Sequence, residues 1–296
     1  MDRRTFVKAA GTAICSAPIV AGANAAAGAE GKPKLRTKIA VSPGFFKGTF
    51  EEQLEQIAAH GFVAFEQLGW DRLDLDAVRN KAGELGLEYS CIIGAGRIAP
   101  GGMVDPDDHS KVIRQFRAAV KAAHRLNVKR LVGLTGNERR GVSREKQKDH
   151  VIACLKKLAP IAEGEGVMIV IEPLNVLVDH RGFFLSRSDE AAKIIRAVDS
   201  ENVKILFDIY HQQITEGNLI RNIQRYLKRG AIGHFHVADN PGRHEPGTGE
   251  INYKNVFKAI YEAGYRDIVA LEFGPIDRSE AGVEAALAAV IEADQW

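Results

Sequence analysis

Residues 165–172 read Glu165-Gly166-Val167-Met168-Ile169-Val170-Ile171-Glu172: a glycine, five apolar residues, then an acid. Upstream, residues 143–165 place apolar side chains three and four apart, as in Val151, Leu155 and Leu158, the spacing of one helical face. Gly166 is the left-handed stop expected after such a helix. The apolar run after it has the length of a strand, and Glu172 interrupts it at its carboxyl end.

The same unit recurs along the chain. Strand-like runs occupy residues 38–42, 62–67, 88–93, 130–134, 167–173, 203–208, 232–237 and 268–273. Helical patterns lie near 50–60, 74–85, 107–126, 143–165, 188–198, 217–229, 253–263 and 279–294, and Gly61, Gly86 and Gly264 stop three of them. Eight strand–helix units in about 260 residues predict an α/β fold of one domain, a closed (β/α)8 TIM barrel over residues 36–296. No Gly-x-Gly-x-x-Gly follows the first strand, which argues against a dinucleotide-binding sheet. The glycine-rich run 94–102 follows the third strand, lacks the lysine and hydroxyl of a phosphate loop, and reads as a mobile loop at the barrel top.

Polar residues interrupt the last four strands at one level. Glu172, Asp208 and Glu272 end the fifth, sixth and eighth, and His236 lies near the end of the seventh. In a parallel barrel every carboxyl end opens on one mouth, so these distant residues converge. Three carboxylates and an imidazole can enclose a divalent cation, whereas burying three unpaired negative charges together would be very costly. One such residue alone reads equally well as the polar start of a solvated loop; four successive strand ends favour a site. The donor set suits Mn²⁺, Mg²⁺ or Co²⁺ and does not exclude Zn²⁺.

His234 precedes His236 by two on the same strand face, one layer deeper, and reads as a hydrogen-bonded support. His211, in Asp208-Ile-Tyr-His-Gln-Gln on the loop after the sixth strand, could bond a substrate hydroxyl. The long loop 238–252 is stiffened by two prolines, and Arg243 within it offers a planar fork to an anionic or polyhydroxylated substrate. Glu66, ending the second strand, points to the same mouth.

Composition narrows the partners. The 296 residues are 45% hydrophobic and 26% charged, which sets aside a disordered or disulfide-scaffold chain. The formal charge of +2 arises wholly in Asp2-Arg3-Arg4-Thr5-Phe6-Val7-Lys8, and the rest is balanced. General affinity for nucleic acid or an anionic membrane is therefore not expected. That basic stretch, a weakly apolar run and the small residues 23–29 resemble a twin-arginine export signal over residues 1–29. The resemblance implies cleavage after Ala25 or Ala27 and a periplasmic location. Pro, Ser, Thr and Gly dilute the run too far for a stable membrane anchor. Cys15 leaves with the leader, and Cys91 and Cys154 lack metal-ligand spacing and read as buried free thiols.

Ile-Glu-Pro-Leu-Asn (171–175), Phe-Asp-Ile-Tyr-His-Gln-Gln (207–213), the run from Ile232 through His236 and Pro-Gly-Arg-His-Glu-Pro-Gly-Thr-Gly-Glu-Ile-Asn to Tyr253, and Leu-Glu-Phe (271–273) together resemble the hydroxypyruvate isomerase family. Those enzymes stand among the xylose-isomerase-like barrels beside ketose 3-epimerases and endonuclease IV. The resemblance implies that Glu172, Asp208, His236 and Glu272 bind the metal, that Glu172 and Glu272 are the acid/base pair, and that His211 and Arg243 contact substrate. The implied reaction is an aldose–ketose type isomerisation of a small keto acid or sugar through an enediolate. A ketose 3-epimerase stays open, since hydroxypyruvate isomerases often carry glutamine where this chain has His236. A non-catalytic sugar-binding protein and a homo-oligomer stay open too. An abasic-site nuclease would need more metal-binding histidines and a basic track.

Overall fold

Residues 35–296 are described in a computed structural model; the expected leader, residues 1–29, lies outside the described residues. The strands are β1 (Lys38–Val41), β2 (Ala64–Phe65), β3 (Glu88–Tyr89), β4 (Cys91–Gly96), β5 (Arg130–Leu134), β6 (Met168–Ile171), β7 (Val203–Asp208), β8 (Ile232–Val237) and β9 (Ile268–Leu271). All pair in parallel, in the order β3-β2-β1-β9-β8-β7-β6-β5-β4. The predicted third strand is split at Ser90: β3 pairs with β2, and β4 pairs with β5. Ser90 N–H donates to the Phe65 carbonyl at 3.0 Å and Ile93 N–H to that of Leu68 at 2.8 Å, which carries the closure across the break. The split strand thus seals an α/β barrel of eight strand positions, as the repeated unit predicts. Its last four strands are β6, β7, β8 and β9.

Nine α-helices are described: α1 (Phe50–Ala59), α2 (Leu75–Leu85), α3 (His109–Leu126), α4 (Arg144–Glu165), α5 (Ser188–Val198), α6 (Ile209–Thr215), α7 (Leu219–Leu227), α8 (Tyr253–Glu262) and α9 (Glu280–Ala293). Their starts are legible locally. Thr49 and Glu52 form a reciprocal capping box for α1, and Asp74, Ser143 and Ser279 cap α2, α4 and α9 through side-chain oxygens. Gly86 and Gly166 end α2 and α4 at φ of 66° and 65°, the left-handed region that glycine enters without strain. None of the described helices is long and apolar enough to cross a membrane.

Two departures from the sequence reading concern loops. The segment after β7, expected as a loop carrying His211, is the short helix α6, because the Asp208 carboxylate accepts the His211 backbone N–H at 2.8 Å and caps it. The glycine-rich run 94–102 begins inside β4, and the Asp108 carboxylate holds its remainder through Gly102 N–H at 2.8 Å and Arg97 at 2.9 Å. Cys91 and Cys154 are free and buried, as expected.

One irregularity positions the site. Between β7 and β8 the register skips Gly233: Ile205 pairs Ile232, while Leu206 pairs His234 and Asp208 pairs His236. The bulge aligns His234 and His236 with the carboxyl end of β7 and turns both rings toward the barrel interior. Deeper in the barrel, buried Arg130 donates to the Gly233 carbonyl at 3.2 Å and the Ser90 carbonyl at 3.4 Å, and it pairs with Asp267. A guanidinium can occupy this interior because its donors are spoken for.

Candidate metal centre and active site

Glu172 follows β6, Asp208 ends β7, His236 lies near the end of β8 and Glu272 follows β9. Each offers one ligand atom such that all four atoms lie within 4.8 Å of one another. His236 is fully buried, and its Nδ1 faces the cluster, 3.0 Å from Glu272 Oε2 and 3.7 Å from Glu172 Oε1. Its other nitrogen, Nε2, lies 2.8 Å from Glu66 Oε1. Glu66 also lies 2.8 Å from His234 Nε2 and accepts the Ser90 hydroxyl. The Glu66 carboxylate is therefore occupied behind His236 by hydrogen bonds to His234 and Ser90 and by the close approach of the His236 imidazole, with the side chain 4% exposed. A carboxylate behind an imidazole orients the ring and raises its basicity as a metal ligand.

The electrostatics follow from burial without full compensation. Burial raises the Glu172 carboxyl to about 7, helped by the neighbouring Glu272 and Asp208 charges. Burial would raise Glu272 as well, but His236 and Arg243 bring it well below the ordinary carboxylate value. Burial opposes charge on His236, yet Glu272 and Glu66 hold its imidazole protonated well above the usual range. Glu66 resists burial through His236 and His234 and stands at about 2. Without a metal, the carboxylates are thus partly neutralised by a proton on His236 and partly by Glu172 itself. The donor set fits a divalent cation: displacing the His236 Nδ1 proton would expose a nitrogen ligand facing three carboxylates, already oriented by Glu66 from behind.

The remaining groups form a rim. Asn175, which ends the Glu-Pro-Leu-Asn stretch, uses Oδ1 to accept Val178 N–H at 3.0 Å and Asp179 N–H at 3.1 Å. Its amide nitrogen must therefore donate, and it does so to Asp179 Oδ2 and His211 Nδ1, both at 2.7 Å. Burial keeps His211 neutral, so its proton sits on Nε2, which lies 3.8 Å from Asp208 Oδ2. That N–H is buried without a hydrogen-bond acceptor. His180 packs edge-on against the His211 ring at 5.1 Å between centroids.

Arg243 lies 2.6 Å from Glu272 and 3.7 Å from Asp208, with its guanidinium over the Tyr210 ring. Its φ of 59° is unusual for a side-chain-bearing residue and is imposed by the loop. The hub of that loop is Asp239, fully buried, whose carboxylate accepts the N–H groups of Asn240, Gly247, Gly249 and Ile251 at 2.8–3.1 Å. Beside these groups opens a cavity of about 410 Å³ lined by Ser42, Gln67, Arg243, Glu272, Gly274 and Arg278 among others. A larger cavity of about 630 Å³ lies between α5 and α7, lined by none of the converging residues.

A family model for the xylose isomerase-like TIM barrel matches residues 54–292. The chain belongs to that family. It is 38% identical over 166 residues to hydroxypyruvate isomerase of Escherichia coli K12, covering 56% of this chain and 63% of that one. A broader match, at 29% identity over 238 residues, is the 2-oxo-tetronate isomerase of Pectobacterium atrosepticum, covering 79% and 90%. Among solved structures, a family 2 AP endonuclease from Brucella melitensis superposes with a TM-score of 0.74 at 25% identity, covering 85% of this chain and 98% of that one.

The seven residues that the sequence proposes as metal ligands or substrate contacts lie at the carboxyl end of the barrel, and His234, expected as a support, hydrogen-bonds Glu66 behind them. Six of them, Glu172, Asp208, His211, His236, Arg243 and Glu272, border one centre, and Glu66 stands directly behind His236. Sequence reasoning missed Asn175, Asp179, His180, Asp239 and the arginine at 278. Asn175 was quoted within a recognisable stretch, but only the fold reveals its contact with His211.

Proposed function

We propose that this protein is a divalent-metal-dependent isomerase that interconverts a small 2-oxo acid bearing a neighbouring hydroxymethyl group and its aldehyde isomer, as in hydroxypyruvate and tartronate semialdehyde. The observation that carries this reading is the convergence of Glu172, Asp208, His236 and Glu272 at the barrel mouth beside the unengaged N–H of His211. The names of the two sequence relatives support the isomerase class.

A divalent cation held by those four residues would polarise the substrate carbonyl and stabilise the negative charge that grows as a carbon-bound proton leaves. The two glutamates are unlike, as an acid/base pair requires. Glu272 is the ionised member and takes the proton from the hydroxymethyl carbon. Glu172, which burial makes the more basic of the two in the metal-free protein, delivers a proton to the adjacent carbon. The hydroxyl proton passes to the former carbonyl oxygen, so the isomerisation balances with no external oxidant or reductant. His211 donates Nε2–H to a substrate oxygen, and its buried ring keeps bulk water from that edge.

The test is incubation of metal-loaded protein with hydroxypyruvate in deuterated water. Tartronate semialdehyde should form, with exchange of carbon-bound hydrogen that Glu272→Gln abolishes. A ketohexose epimerised at C3, with hydroxypyruvate untouched, would replace this reading with a 3-epimerase. Sugar binding without exchange in either substrate would leave a binding protein. The Arg3-Arg4 leader supports export to the periplasm; recovery of the mature chain in the cytoplasm alone, after cell fractionation, would remove that part of the reading.

A further inference from the structure

The mouth cavity is lined by four charged residues, and three of them are engaged. Glu66 is taken up by His234, His236 and Ser90, and Arg243 is paired with Glu272. Arg278 is the fourth. Among the described residues no hydrogen bond or ion pair reaches its guanidinium. The chain reverses after Glu272 so that Arg278 folds back over Gly274, its Nη2 3.4 Å from where a Cβ at that glycine would sit. Gly274 is itself tied to the Arg243 loop: its N–H donates to the Arg243 carbonyl at 3.3 Å, and its carbonyl lies 2.7 Å from His244 Nδ1. Both arginines thus lie close to one backbone position near Glu272, one spent on the protein's own carboxylates and one free.

We propose that Arg278 binds the carboxylate of the substrate and so commits this mouth to anionic 2-oxo acids over neutral ketoses of the same size. The inference rests on the isomerase reading above. Its reason is charge: Glu172, Asp208, Glu272 and Glu66 outweigh a divalent cation plus Arg243, so an incoming carboxylate is repelled unless a further cation meets it. A guanidinium does this through two parallel N–H donors. A neutral ketose would gain nothing from it.

Hydroxypyruvate and dihydroxyacetone make the direct comparison, since they differ by a carboxylate in place of a hydroxymethyl group and undergo the same isomerisation. Arg278→Gln should raise KM for hydroxypyruvate about tenfold or more, the scale of a lost charge-assisted hydrogen bond. Its kcat should stay within about twofold, as expected for binding felt equally in ground and transition states. Dihydroxyacetone kinetics should not change, and Arg278→Lys should restore part of the loss. Equal effects on both substrates, or none on either, would overturn the proposal. Calorimetry with tartronate, an anion of similar size, separates the two failures. Should the native protein turn over neither substrate, the isomerase reading falls. Tartronate affinity unchanged by Arg278→Gln would then refute the carboxylate site independently, and a tenfold loss would sustain it.

Discussion

Replacing Glu66 by glutamine removes one negative charge from an almost fully buried position directly behind His236. The amide keeps one oxygen, but its NH₂ group is set against one of the two imidazoles, His234 or His236, that each faced a carboxylate oxygen at 2.8 Å. The Glu66 carboxyl stands at about 2 against an ordinary 4.5, a folded-state preference for the ionised form of about 3 kcal/mol. Breaking a buried pair by removing one partner costs a similar ~3–5 kcal/mol. For a barrel of this size that corresponds to a fall in Tm of roughly 6–20 °C in the metal-free protein. The sign with pH is defined. A carboxyl depressed on folding contributes stability that is present above 4.5 and lost as pH falls toward 2, so the gap between native and variant should be widest above pH 4.5 and close in acid. Metal affinity should also weaken about 10–100-fold, because His236 loses the group that orients it. Differential scanning calorimetry of the chelator-treated proteins and titration calorimetry with Mn²⁺ measure the two effects. An E66Q protein with native Tm and native metal affinity would show that the carboxylate behind His236 is inert, and the reasoning from its three contacts would fail.

Three further outcomes follow from the same geometry. Metal uptake should expel the proton that the carboxylates hold on His236, and below pH 7 that of Glu172 too, so release measured in buffers of different ionisation enthalpy should rise from about one proton at pH 8 toward two at pH 6; a constant or falling count would contradict it. Asn175→Leu should free His211 Nδ1 and mix its tautomers, lowering kcat/KM about tenfold or more with metal affinity intact, and nitrogen NMR of the ring should report the tautomer change directly. Asp239→Ala should leave four backbone N–H groups of the 238–252 loop without their acceptor, at a cost of about 3 kcal/mol or more, and limited proteolysis should then cut this loop first; a loop as resistant as the native one would remove Asp239 as its hub.

The sequence by itself determined the repeated strand–helix unit, and with it the barrel. Periodicity is local, and helix stops such as Gly166 and caps such as Asp74 are decided within a few residues of the chain. Parallel topology then sends every strand end to one mouth, so Glu172, Asp208, His236 and Glu272 could be grouped from strand ends alone. Partner choice could not be read that way. Glu66 and His234 lie 168 positions apart, and whether a strand-end acid faces the mouth or a neighbouring imidazole depends on the bulge at Gly233 and the break at Ser90. Both are adjustments of pairing between strands, invisible to the pattern of any single one. Likewise, His211 reads from the sequence as a loop residue three positions after Asp208; in the tertiary structure the Asp208 carboxylate caps a short helix there through one oxygen while the cluster lies within reach. The charge state of each group belongs to that same level, because burial and the net field of distant segments, set only when the barrel closes, hold one glutamate near neutral pH and its neighbour far below it.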